Sequence, residues 1–234
     1  MIPFRDDTRR TGTPVVNVLL IALNAVFFFY ELSLGPRLNA FVMSAAFVPA
    51  KLTAGGLGLH DLKPGVETAL LSMFLHGGWA HFLGNMLFLW IFGDNVEDRL
   101  GHLRYLAFYL LAGFAAAFAH LWFNPGSAMP AIGASGAISG VLGAYLFLYP
   151  KARIQTLIFF GFFARFVLVP AWVFLPFWFL IQLISGVASL GVPNAQQGGG
   201  VAFFAHIGGF VAGPILLFLL GGAARRPQQR TETW

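Results

Sequence analysis

Six apolar stretches of spanning or near-spanning length fill most of this 234-residue chain and leave it few ways to fold. They run at about 15–34, 79–93, 105–123, 134–149, within 167–190, and 201–220. A helix of ~20 apolar residues crosses a bilayer. The rest of the composition agrees, with 58% hydrophobic residues, a mean hydropathy of +0.75 and only 10% charged. Soluble domains carry ~25% charged residues and need them to cover their surface. A soluble enzyme, a disordered chain and a nucleic-acid binder are thereby excluded, and a compact all-α polytopic membrane protein is expected. No ten-residue units alternate with period two, which argues against an outer-membrane barrel. Cysteine is absent, so no disulfide, thiolate metal site or Cys nucleophile is available. The first stretch is long enough to span and lacks a small-residue cleavage site, so it reads as a retained helix. Residues 154–163 are apolar but too short to span. They are expected to lie in the inner interface or to lengthen the fifth helix.

The positive residues orient the bundle. With the N-terminus inside, the inner segments hold Arg5, Arg9, Arg10, Arg99, Arg104, Lys151, Arg153, Arg165, Arg225, Arg226 and Arg230. The outer ones hold only Arg37, Lys51 and Lys63. Such asymmetry places both termini in the cytoplasm. The division that follows is a cytoplasmic segment 1–14, a membrane domain 15–222 and a cytoplasmic tail 223–234. The first outer loop, about 35–78, is the only long one, and long loops usually have a job or a partner.

Polar side chains inside lipid are costly and mark function by default. Three groups of them sit near the outer ends of the second, fourth and sixth stretches. The second opens with His76, followed by His81 and Asn85, which are four apart and share a helix face. The fourth opens Gly133-Ala134-Ser135-Gly136, with Gly140 and Gly143 continuing a stripe of small residues. The sixth carries His206, with Gly209 and Gly213 on its face. Pro150-Lys151 marks the inner surface fifteen residues after Ser135. At 1.5 Å per residue Ser135 stands ~22 Å above that surface, hence ~8 Å below the outer boundary of a ~30 Å core. His206 lies at roughly the same depth, five residues inside its own stretch. A fourth helix this short obliges residues 124–134 to dip into the membrane as irregular backbone, which needs a surrounding protein or a wet cavity.

Small-residue faces let membrane helices approach closely, as a Ser hydroxyl and a His nitrogen must to share a proton. Ser135 as nucleophile and His206 as base fit, with the helix N-terminus favouring a developing oxyanion. His81 and Asn85 can donate further hydrogen bonds to it. No Asp or Glu lies between Asp98 and Glu232, and of the outer acids only Glu31, Asp61 and Glu67 could approach. A Ser–His dyad is therefore expected, with His206 oriented by packing and neutral hydrogen bonds.

These motifs resemble the rhomboid family of intramembrane serine proteases. The family's GxSG matches 133–136, its AHxxGxxxG matches 205–213, and its HxxxN matches 81–85. The resemblance, which runs over about 15–220, implies a six-helix bundle with a long first outer loop. It makes Ser135 the nucleophile, His206 the base, and His81 and Asn85 the oxyanion contributors. Val96-Glu97-Asp98-Arg99-Leu100-Gly101 looks like the family's turn after the second helix, a structural feature. Two departures stand out: Glu67-Thr68 where many members carry Trp-Arg, and Ser139 where some place an aromatic four residues after the nucleophile. The implied activity is cleavage of transmembrane protein substrates near the outer face through an acyl-enzyme, in a bacterial cell membrane and without cofactor or metal. Lateral access past the fifth helix and beneath 190–200 is expected, with Gly198-Gly199-Gly200 either a cap or a turn.

Blander uses of these residue types remain. Serines on membrane helices usually pack or bond back to the preceding turn, which suits Ser139 and Ser72. His76, His102 and His120 read as satisfied structural groups, and His60 as solvated. A zinc site on His76, His81 and His206 lacks nearby carboxylates. A small-molecule transporter would place polar groups at helix breaks, but here they cluster near one face without an inverted repeat. A non-cleaving relative that binds membrane proteins would normally have lost Ser135 or His206. Oligomeric state is not readable from the sequence.

Overall fold

The computed structural model describes residues 1–222 except 10, 54–58, 161–162 and 191–201. The 190–200 loop beyond its first residue, the glycine run 198–200 within it, and the tail 223–234 lie outside the described residues, as do the side chains of His60 and Asp61.

Most of the described chain is helical. After a short strand β1 (Ile2–Asp6), α1 covers Val15–Ser33. The first loop folds into α2 (Leu38–Ala45), α3 (Pro49–Thr53) and α4 (Leu59–Ser72). Next, α5 (Trp79–Phe88) continues through a π-helical turn, Leu89–Gly93, into α6 (Asp94–Leu100). The remaining helices are α7 (His102–Phe123), α8 (Ser135–Leu148), α9 (Ala171–Leu190) and α10 (Phe203–Leu219). Three of these, at Val15–Ser33, His102–Phe123 and Ala171–Ala188, are long and apolar enough to cross a membrane, while α8 and α10 are shorter apolar helices. The main core is an aromatic and aliphatic cluster around α8, with Phe92, Tyr105, Phe108, Tyr109, Leu142 and Tyr145 fully buried, and a smaller cluster gathers Ala45, Ala46 and Leu75.

Residues 154–163 depart from expectation. The described ones belong to two antiparallel strands, β2 (Arg153–Phe160) and β3 (Phe163–Pro170), and β1 pairs with β2 to make a three-stranded sheet in the order β1-β2-β3. The reason is local. The run is rich in β-branched and aromatic residues, which favour a pleated, half-buried surface, and Ile154 and Thr156 bury completely on one face. The segment 1–14 thus joins through β1 to strands that lie between α8 and α9.

Two buried networks tie the helices in register. The π-turn breaks the regular backbone ladder, and the Leu89 carbonyl accepts a hydrogen bond from Asn17 Nδ2 at 2.9 Å. Tyr105 donates its hydroxyl to Asn17 Oδ1 at 2.8 Å, so one amide joins α1, the π-turn and α7. Gly93 makes the approach possible, since a Cβ there would stand 2.1 Å from Asn17 Oδ1. Residues 96–100, expected as a turn, are helical in α6, and their polar groups brace the bundle. Glu97 accepts the Val16 and Asn17 backbone N–H groups at the start of α1, and Asp98 accepts those of Thr11 and Gly12. Arg99 Nε donates to the Gly222 carbonyl just past α10.

Candidate active site

Ser135 is the first residue of α8, and the backbone before it is irregular from 124 to 134. First-loop backbone holds that stretch: Ala50 N–H donates to the Ser127 carbonyl, Ala131 N–H to Phe47, and Gly133 N–H to Ser72. Gly133 has φ +123°, and a Cβ there would lie 2.6 Å from His81 Nε2 and 3.4 Å from Ser135 Oγ. Only glycine permits this turn with the imidazole pressed against it.

Glycines also set the spacing of α8 and α10. A Cβ on Gly209 would lie 2.0 Å from the Gly136 carbonyl oxygen, and one on Gly213 would lie 2.1 Å from that of Gly140. On α8 the stripe serves two neighbours. Gly136 and Gly140 face Ala116 and Ala112 of α7, whereas Gly143 faces the Phe210 carbonyl of α10. With the backbones this close, His206 Nε2 stands 2.7 Å from Ser135 Oγ. The His206 side chain is buried, and its other ring nitrogen, Nδ1, lies 2.8 Å from Gln182 Oε1 of α9. Trp178, one turn earlier on α9, lies against the imidazole with ring centroids 5.9 Å apart and a 35° tilt.

A cavity of about 680 Å³ opens onto this pair, and His81, Asn85, Trp178 and Gln182 line it. The Gly77 N–H donates to His81 Nδ1 at 3.3 Å. A neutral imidazole has one N–H, so that proton is on Nε2, the nitrogen beside Gly133 and Ser135. Asn85 is buried one turn below His81, and its Nδ2 has no hydrogen-bond partner among the described residues. Asn85 as a residue lines the cavity, while Nδ2 itself is inaccessible.

Of the other singled-out residues, Ser139 also lines the cavity. Ser139 Oγ donates back to the Ser135 carbonyl at 2.6 Å, and Ser72 Oγ donates to Ala69. His102 bonds the Glu97 carboxylate. His76 and His120 are buried, and both ring nitrogens of His76 and Nδ1 of His120 find no partner among the described residues, unlike the satisfied groups expected of them. Glu31 is buried too, but its carboxylate accepts the His76 backbone N–H at 3.0 Å rather than approaching His206. Gln182 was not singled out by sequence. The available signal was an uncharged amide within a run of lipid-compatible residues, a costly placement.

A sequence profile described as the Rhomboid domain matches residues 64–223, more than half of the chain. Rhomboid protein 1, mitochondrial, of Saccharomyces cerevisiae is 30% identical over 165 residues, which cover 68% of this chain and 43% of that protein. Rhomboid protease GluP of Bacillus subtilis is 32% identical over 215 residues, 92% of this chain and 37% of GluP. RHOMBOID-like protein 4 of Arabidopsis thaliana is 34% identical over 170 residues, 72% of this chain and 38% of the relative. The chain spans less than half the length of each of these three. It belongs to the rhomboid family, whose members are multi-pass membrane proteins.

Proposed function

We propose that the protein is an intramembrane serine endopeptidase, with Ser135 as nucleophile and His206 as general base. The 2.7 Å contact between Ser135 Oγ and His206 Nε2 carries the reading, because it joins a hydroxyl at a helix N-terminus to an imidazole inside one cavity. As Oγ bonds to the scissile carbonyl carbon, its proton passes to Nε2 and the carbonyl oxygen becomes an oxyanion. His81 Nε2–H, Asn85 Nδ2–H and the positive end of α8 stabilise that charge. The C–N bond then breaks, His206 returns the proton to the leaving amine, and an acyl-enzyme remains. A water molecule, deprotonated by His206 in turn, releases the acid and regenerates Ser135.

In this reading 15–222 forms six membrane spans with both termini in the cytoplasm, and the first outer loop braces the irregular strand before Ser135. The site opens to the outer side. Substrates are transmembrane segments that reach the cavity laterally and unwind there, since a helical peptide bond is shielded and hydrogen-bonded.

Fluorophosphonate labelling of the purified protein tests the dyad. Wild type is expected to label and Ser135→Ala to stay unlabelled. A wild type that fails to react, or a mutant that reacts equally, overturns the assignment and leaves a binding-only role or a transporter.

A further inference from the structure

We infer that Gln182 is a positioning residue for His206: its amide oxygen holds Nδ1–H and so keeps Nε2 free to take the Ser135 proton. The inference rests on the proposed dyad and goes one residue beyond it. An imidazole that offers Nε2 as a base must carry its proton on Nδ1. Nδ1–H needs an acceptor, because a buried unpaired donor is costly. Oε1 of Gln182 is 2.8 Å away, and among the described residues no carboxylate acts on His206. The amide performs the orienting part of a triad acid's work without supplying a negative charge to the imidazolium.

The position of Gln182 adds a mechanical consequence. Helix α9 is seated at its inner end, where Ala171, Phe174 and Leu175 are buried and the Ala171 and Trp172 N–H groups bond to the Ala152 and Pro150 carbonyls. Farther out it is largely uncovered, with Leu180, Ile181, Ile184 and Val187 all exposed. There it meets α10 at Gly186, where a Cβ would touch Phe203 at 3.3 Å, and at the face bearing Trp178 and Gln182. His206 therefore keeps its base tautomer while the outer half of α9 is seated, and a displacement of that half removes both the acceptor and the indole.

Two substitutions separate orientation from folding. Gln182→Leu removes the acceptor at similar size, while Gln182→Glu keeps an acceptor and adds charge. The titratable groups within electrostatic reach of His206 are His81 on α5 and His120 on α7, and both stay unchanged in these variants. The measurement is fluorophosphonate labelling of the full chain across pH, resolved into maximal rate and half-saturating probe concentration, beside thermal melts. Gln182→Leu is expected to lose about 10- to 100-fold in maximal rate with the half-saturating concentration little changed. Gln182→Glu is expected to recover most of that rate above neutral pH, with the acid limb moved up by about one pH unit or more as the carboxylate stabilises the imidazolium. Wild-type labelling together with an undiminished Gln182→Leu rate overturns the role of Gln182 and leaves the dyad standing. So does a Gln182→Glu profile that superimposes on wild type. No labelling of wild type overturns the dyad itself, and this inference with it.

Discussion

Asn85 is the residue at which the proposed oxyanion role can be tested against a structural one. Its Nδ2 is buried without a partner among the described residues, a condition that weakens a fold by ~1–3 kcal/mol when nothing offsets it. Unpartnered buried atoms also occur at Asn24 and Tyr109, so it is the place of Asn85 in the cavity lining that supports the proposed oxyanion role. Asn85→Leu is therefore expected to lower fluorophosphonate labelling by ~100-fold, typical for the loss of one oxyanion donor, while the melting temperature holds or rises. A parallel fall in melting temperature and labelling would make Asn85 a structural residue instead. At this scale much of the site was legible in the sequence. Ser135, His206, His81 and Asn85 are polar residues in apolar runs, and their spacing and depth brought them together on paper. Gln182 was not legible, because its partner is the far side of an imidazole, 24 residues away on another helix. Spacing fixes depth and helix face, but it does not fix which neighbouring helix supplies the last hydrogen bond.

Among the elements, α8 and α10 matter most, and their glycines act through backbone contact. The gap at Gly209 is closed by the Gly136 carbonyl, a group that cannot rotate away as a flexible side chain can. Gly209→Ala is expected to destabilise by about 3 kcal/mol, toward the upper end for overpacking, and to abolish labelling by separating Ser135 from His206. Gly84→Ala on α5 is the control. No atom lies within 4 Å of its added Cβ, and alanine favours a helix interior by ~1 kcal/mol, so its melting temperature should hold or rise. Equal melting temperatures for Gly209→Ala and wild type would show that the two helices have room to move apart. The helices themselves were readable because apolar length is a strong signal, although the second, expected to end near 93, runs on through the π-turn into α6. The β2–β3 pair was not readable. Its alternation is confined to Arg153, Ile154, Gln155 and Thr156, beyond which both faces turn apolar and the period disappears.

At the scale of the whole molecule, the N-terminal strand is bound to the C-terminal end of α8, the helix that begins with Ser135. Asp6, at the end of β1, accepts hydrogen bonds from Tyr145 of α8 at 2.5 Å and from Asn95 Nδ2 of α6 at 3.1 Å, and Thr8 Oγ1 lies 2.8 Å from the same tyrosine hydroxyl. Tyr145 is fully buried ten residues beyond Ser135, so this cluster reports on the end of α8 opposite the site. Burial raises the Asp6 carboxyl above its ordinary value of 3.8, an effect that exceeds the opposing hydrogen bonds from Thr8 and Tyr145. The folded protein therefore holds the Asp6 proton more tightly than the unfolded chain does. Its contribution to stability is fully present below the unfolded value and is lost as pH rises through the folded one. In thermal melts of the purified protein from about pH 4 upward, wild type should lose stability relative to Asp6→Asn as pH increases. Asparagine keeps an acceptor for Tyr145 but has no proton to lose, so the difference between the two melting curves isolates this one carboxyl. Parallel curves would show that the N-terminal strand is not held through a protonated Asp6, and would leave an ionised Asp6 and Thr8 as its contacts to Tyr145.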